Sequence, residues 1–179
     1  MQIKNLIFLT GFMGSGKSTV GPLLANTLGY NFIDLDERIE EQEQKTIKKI
    51  FETHGEEYFR KTEYNVLQKI SQQTELVVAL GGGTILHQKN LSLIKEKGIL
   101  IYLKTDIEIL YKRLQKKNSR PLLQNDNGKS FPNEQLKKKI QTLLIERSPY
   151  YEQADIIIQT EEKNVGETIQ EIEKKIEIL

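Results

Sequence analysis

"GFMGSGKST", residues 11–19, follows the apolar run "NLIFL" (5–9) and leads into "VGPLLANTL" (20–28). It fits G-x-x-x-x-G-K-[ST] with Gly11, Gly16, Lys17 and Ser18. In such a loop successive backbone N–H groups cradle phosphates and the glycines leave room for them. The lysine reaches the outer phosphates, and the serine hydroxyl ligates Mg²⁺. A chance glycine-rich turn is the competing reading, but a strand before and a helix after are the context a phosphate loop needs. The pattern implies a nucleoside triphosphate and says little about what receives a phosphoryl group. No N-K-x-D sequence, the usual guanine reader, occurs in the chain.

Outward from this loop, strands and helices alternate. Asn5–Leu9 is predicted as a first strand and Lys17–Leu28 as a helix, with Pro22 expected to kink or loosen one turn because it lacks a donor. "YNFIDLD" (30–36) reads as a second strand. A long polar helical stretch follows from Glu37 to about residue 73, broken near "THGEE" (53–57) by Gly55. "ELVVAL" (75–80) and "GILIYL" (98–103) read as third and fourth strands, and "DIEILYKRLQKK" (106–117) as a helix. Residues 118–131 are polar and turn-rich and read as a mobile loop. "NEQLKKKIQTLLIERSPYY" (133–151) is a helix expected to stop at Pro149. "ADIIIQT" (154–160) is a fifth strand and 165–178 a closing helix. Continuous apolar strands alternating with helices predict an α/β fold in three layers, with a five-stranded parallel sheet covered on both faces. Ligands of such sheets bind at the carboxyl ends of the strands.

The chain has 179 residues, 37% hydrophobic and 28% charged, with a formal net charge of +1 and no cysteine. These values fit one globular domain spanning 1–179 and exclude a disulfide frame and a thiolate metal site. They give no basis for a nucleic-acid or membrane surface. The opening "MQIKNLIFLTGF" is too short to span a bilayer and lacks a cleavage site, so a cytoplasmic protein is expected.

Several residues near the strand ends suit phosphoryl-transfer chemistry. In "DLD" (34–36) the period of two places Asp34 and Asp36 on one face of a strand, one for the water shell of a metal and one for an acceptor hydroxyl. A helix cap is the alternative for one of them. Arg60 in "EEYFRKTE" and Arg147 in "ERSPYY" are, singly, surface cations beside Glu56 or a helix end. As a pair they suit a clamp on a carboxylate. Arg120, in "SRPLL", could close on a transferring phosphoryl group or simply be solvated. "LGGGTI" (80–85) puts three glycines where a strand ends. Either the backbone needs positive φ there or another group approaches too closely for a Cβ. His54 and His87 have no ligand pattern around them.

Taken in order, "GFMGSGKST", "DLDERIE", "IFETHGEEYFRKTE", "LGGGTIL", "RPLL", "ERSPYY" and "ADIIIQT" resemble the shikimate kinases over nearly the whole chain. The resemblance implies the P-loop kinase fold and ATP-dependent phosphorylation of shikimate at its 3-hydroxyl, a step toward aromatic amino acids. It implies an acceptor-binding helical segment at about 37–63, a lid at about 118–131, and Mg²⁺ as cofactor. The polar, charge-balanced composition is what suggests a monomer. Carried onto this sequence, Gly14, Ser15, Gly16, Lys17, Ser18 and Thr19 hold the triphosphate. Ser18 holds Mg²⁺, with Asp34 reaching it through water. Asp36 bonds the acceptor hydroxyl and takes its proton. Arg60, oriented by Glu63, and Arg147 hold the acceptor carboxylate, and Gly81, Gly82 and Gly83 line its pocket, so that a side chain at Gly82 would take the substrate's place. Arg120 is the lid arginine, while Arg113 with Lys163 and Asn164 flanks the adenine. Pro22, Lys163 and Val165 depart from the family pattern. Rival readings are another small-molecule kinase, for gluconate or a nucleoside monophosphate, and a nucleotide-binding module without turnover.

Overall fold

Hydrogen bonding along five short apolar runs assembles one parallel sheet. The computed structural model of the chain describes residues 5–115, 132–161 and 163–179. The strands are β1 (Leu6–Thr10), β2 (Asn31–Asp34), β3 (Leu76–Ala79), β4 (Ile99–Lys104) and β5 (Ile156–Gln159), in the spatial order β2-β3-β1-β4-β5. In the central strand Phe8 lies between Val78 and Leu100, and Leu9 between Ala79 and Ile101. All the pairings are parallel, so each connection is a crossover carrying helix.

The helices are α1 (Lys17–Leu28), α2 (Leu35–Glu43), α3 (Ile47–Ile70), α4 (Gln88–Lys97), α5 (Ile107–Leu114), α6 (Asn133–Tyr151) and α7 (Val165–Ile176). Alternation along β1 divides the core. Ile7 and Leu9 face Val20 and Leu24 of α1 and Ile169 and Ile172 of α7. Leu6 and Phe8 face the opposite side, with Ile39 of α2, Val66 of α3, Ile94 of α4, Leu110 of α5 and Ile140 of α6. Helices therefore cover both faces of the sheet, as its continuous apolar strands require. Adjacent strands β2, β3 and β1 deliver three sequence features to one edge: Asp34, the triple glycine and the phosphate loop.

Four local expectations are corrected. The second strand ends at Asp34 rather than Asp36, because the Asp34 side chain accepts from the amides of Asp36 (3.0 Å) and Glu37 (3.4 Å) and starts α2. The long polar stretch is two helices, since Gln44 takes a left-handed conformation (φ 52°) and Thr46 caps α3. The break at Gly55 is present within α3 at φ 79° and ψ 176°. Pro149 does not stop α6, which runs to Tyr151. Likewise α1 runs unbroken through Pro22; proline removes only the bond its N–H would have made to the preceding turn. Helix α4, not legible from its polar sequence, buries Leu91 and Ile94. The lid expected at 118–131, and Arg120 within it, lie outside the described residues.

Two packing features generate predictions. A Cβ on Gly98, just before β4, would collide with the Leu6 carbonyl oxygen and sit 2.8 Å from the buried Phe8 ring. Backbone cannot yield there as a surface side chain could. Gly98→Ala is expected to destabilise the protein by about 1–3 kcal/mol, the usual range for overpacking, read from urea unfolding.

Tyr102 of β4 and Tyr151 at the end of α6 pack with ring centroids 5.1 Å apart, and burial raises both phenol pKa values. The folded protein thus holds protons that the unfolded chain releases near pH ~10. Their stabilisation is full below that pH and is lost as pH rises above it. The melting temperature should fall between pH 10 and 11, roughly the range above the tyrosine reference value, and less steeply in Tyr102→Phe; an equal fall in both proteins would refute this.

Candidate active site

The turn from β1 into α1 bends its backbone inward. Gly11 has φ +144°, and a Cβ there would lie 2.7 Å from the Leu103 carbonyl and 2.8 Å from Ser15 Oγ. Gly16, at φ +107°, precedes the first turn of α1, whose amides have no side-chain cap. A ring of backbone donors at a helix N-terminus is suited to phosphate. Lys17 Nζ folds back to the carbonyls of Gly11 (2.7 Å) and Phe12 (3.2 Å). Ser18 and Thr19 are exposed at the start of the helix. Arg113, from α5, donates to the Gly14 carbonyl at 2.9 Å and so lies against this loop. Behind it, Thr105 Oγ1 lies 3.5 Å from the Ser15 carbonyl and 2.7 Å from Thr160 Oγ1, and Thr160 in turn donates to the Lys104 carbonyl at 3.2 Å.

On the other side lies the glycine run. None of Gly81, Gly82 and Gly83 has positive φ, so that requirement is absent although the backbone turns here, Thr84 N–H donating to the Gly81 carbonyl at 3.2 Å; close approach stands at Gly81. The tightest approach is at Gly81 rather than Gly82: a Cβ on Gly81 would fall 2.6 Å from Asp36 Oδ1. One on Gly82 would face Arg147 Nη1 at 3.4 Å and Tyr151 Oη at 3.7 Å. One on Gly83 would face Arg60 Nη2 at 3.6 Å. Three residues of bare backbone thus face a carboxylate from α2, a guanidinium from α6 and a guanidinium from α3.

Each charged group is held in turn. Arg60 Nη1 donates to Glu63 Oε2 at 3.2 Å, while its Nε and Nη2 donate to the exposed Glu56. Arg60 therefore makes the surface pair with Glu56 and is at the same time held by the buried Glu63. Glu63 is only 1% exposed. It also accepts from Thr84 Oγ1 (2.8 Å) and Asn90 Nδ2 (3.2 Å), and Asn90 donates in addition to the Thr84 carbonyl at 2.9 Å. The Arg147 guanidinium lies 5.9 Å from the centre of the Phe12 ring and donates to the Gly82 carbonyl at 3.2 Å; Tyr151 Oη donates to the same carbonyl at 2.6 Å.

The structure brings together Asp36, Arg60, Arg147 and all three glycines. Asp34 sits at the adjacent strand end but spends Oδ1 on its cap. Lys163, expected at the adenine, is bound instead to Glu171 of α7 and to the Gln159 carbonyl, and Asn164 caps α7 in a capping box. Thr84, Asn90 and Tyr151 were not expected in the site. Thr84 directly follows the glycines, and Tyr151 stands four residues after Arg147, a spacing that shares a helix face.

A family model described as shikimate kinase matches residues 13–177. The chain belongs to the shikimate kinase family. A shikimate kinase of Chloroherpeton thalassium is 48% identical over 177 residues, covering 99% of this chain and 95% of the relative. The structure of a shikimate kinase from Acinetobacter baumannii in complex with shikimate is 38% identical at a TM-score of 0.85, covering 96% of this chain and 92% of its own. That of the Bacteroides thetaiotaomicron shikimate kinase is 32% identical at a TM-score of 0.87, covering 96% and 98%. The sheet and the order of its elements are thus those of the family.

Gly81→Ala tests the approach of Asp36. The added methyl must displace that carboxylate, and a displacement of about 1 Å can cost ~10²-fold in rate. The expected result is a loss of kcat of that order with nucleotide affinity unchanged, measured by steady-state kinetics and nucleotide titration. A variant with normal kcat would show that Asp36 need not sit against Gly81.

Proposed function

We propose that this chain transfers the γ-phosphoryl group of ATP to the 3-hydroxyl of shikimate, giving shikimate 3-phosphate and ADP. The observation that carries the reading is the convergence on Gly81–Gly83 of Asp36, Arg147 and Arg60 from three helices, beside the phosphate loop. A small ring bearing one carboxylate and several hydroxyls complements that set. Two guanidinium groups address the carboxylate, one carboxylate addresses a hydroxyl, and bare backbone admits the ring.

In this reading the amides of residues 14–19 hold the triphosphate, and Lys17 exchanges its two loop carbonyls for phosphate oxygens. Arg60 and Arg147 fix the acceptor so that its 3-hydroxyl meets Asp36. That carboxylate takes the proton as the oxygen bonds to phosphorus and the bond to ADP breaks. The protein's share is positioning and charge, which is most of what phosphoryl transfer requires. The donors near the loop, the Ser18 hydroxyl and the Asp34 carboxylate acting through water, fit Mg²⁺, which takes most of its ligands from phosphate and water. When bound it supplies positive charge to the β- and γ-phosphates. Arg113 serves the nucleotide side through its place on Gly14, and Arg120 is assigned to the transferring group by family likeness. To reach the adenine, Lys163 has to leave Glu171 and the Gln159 carbonyl, which hold it.

The acceptor segment at about 37–63 supplies Arg60 and its carboxylate partner. The proposed state of the enzyme is a monomer. The need for ATP favours the cytoplasm. Gluconate or a nucleoside monophosphate would be poorer acceptors, because neither requires this pairing of two arginines with three glycines.

ADP release from MgATP should be strongly stimulated by shikimate and not by gluconate or AMP; stimulation by another acceptor, or by none, would overturn the reading. Arg60→Ala is expected to raise the KM for shikimate by roughly 10–100-fold, the worth of a charged hydrogen-bond pair, while nucleotide affinity survives. Unaltered shikimate binding would show that Arg60 is not part of the clamp.

A further inference from the structure

The Gly82 carbonyl carries two donors of unequal quality, Tyr151 Oη at 2.6 Å and Arg147 Nη1 at 3.2 Å. Both come from the last turns of α6, where an i, i+4 spacing stacks them on one face. Their freedom differs. Tyr151 is fully buried, with its ring against Tyr102, whereas Arg147 is half-buried on a long flexible side chain. An acceptor carboxylate at Arg147 competes with the Gly82 carbonyl for the guanidinium. An acceptor seated over the glycines also shuts water out from that carbonyl. If Arg147 were its only donor, binding would leave a desolvated acceptor unpaired, a costly outcome.

Building on the proposed acceptor reading, we propose that Tyr151 is a positioning residue: its hydroxyl keeps the Gly82 carbonyl hydrogen-bonded when Arg147 turns from it to the acceptor's carboxylate. Tyr151 thereby lowers the cost of recruiting the arginine and fixes the glycine floor on which the ring rests. Burial, which raises its pKa, keeps the phenol protonated and able to donate across the physiological range. The hydroxyl of Tyr151 is committed to the glycine run, so its effect is confined to acceptor binding.

Tyr151→Phe keeps the ring and removes only the donor. The expected result is a five- to tenfold rise in the KM for shikimate, roughly the loss of one neutral hydrogen bond, with kcat and the KM for ATP unchanged. In an Arg147→Ala background the same change should still raise the shikimate KM, because the seated acceptor shuts water out from a carbonyl that then has neither donor. An unchanged shikimate KM in Tyr151→Phe overturns the proposal, as does a matched fall in kcat and in affinity for both substrates. A wild-type protein without shikimate-dependent ADP release would overturn the proposed function and this inference with it. Normal wild-type turnover with an indifferent Tyr151→Phe would overturn this inference alone.

Discussion

A carboxylate held at 1% exposure must be matched by donors, and Glu63 finds them in three places. Arg60 lies one turn before it on α3, Thr84 follows the glycine run, and Asn90 belongs to α4. Truncating one partner of such a group leaves a buried charge uncompensated, which is far costlier than the pair's net contribution to folding. The network therefore works chiefly as a constraint on position. It sets the distance between α3 and the turn after β3, and with it the place of Arg60 over Gly83. The proposed acceptor side of the site is built around that requirement.

The glycine run is the complementary half of the same design. A side chain at Gly81 would displace Asp36, while side chains at Gly82 and Gly83 would meet Arg147 and Arg60 at ordinary contact distance, so the strip of backbone faces α2, α6 and α3 in turn. The phosphate loop uses glycine differently. At Gly11 and Gly16 the backbone itself enters conformations that L side chains rarely adopt. One chain thus uses the same residue type for torsional freedom at the end of β1 and for proximity at the end of β3.

This difference explains what could be read from the sequence. The phosphate loop, the apolar strands and the alternation with helices depend on local spacing, and they stand within a residue or two of where pattern places them. The site's charged residues, Asp36, Arg60 and Arg147, were legible through family likeness as much as through chemistry. What was not legible depends on contacts between distant segments or on a contest between local preferences. Asn90 joins the site through Glu63, 27 residues away and buried against it, and Thr84, next to the glycines in the chain, turns its hydroxyl to the same carboxylate, 21 residues away. Asp34 had two plausible uses, a strand end and a cap, and the orphan amides of α2 claimed it. Pro149 read as a stop because its effect on the preceding residue is a bias rather than a prohibition, and packing of Tyr151 overrides it. Helix α4 has only a narrow apolar stripe in a polar sequence, too little for periodicity to expose.

The hydroxyls behind the phosphate loop lend themselves to one further consequence. Thr105 has a single hydroxyl proton and two acceptors within reach, the Thr160 oxygen and the Ser15 carbonyl. When Thr160 points its own proton at the Lys104 carbonyl, Thr105 satisfies Thr160 and the loop carbonyl goes without; when Thr160 points at Thr105, the proton of Thr105 is released toward the loop. The two orders differ only by rotation of two C–O bonds. The choice of donor between Thr105 and Thr160 is therefore tied to whether the Thr105 proton points at the loop, with every heavy atom in place.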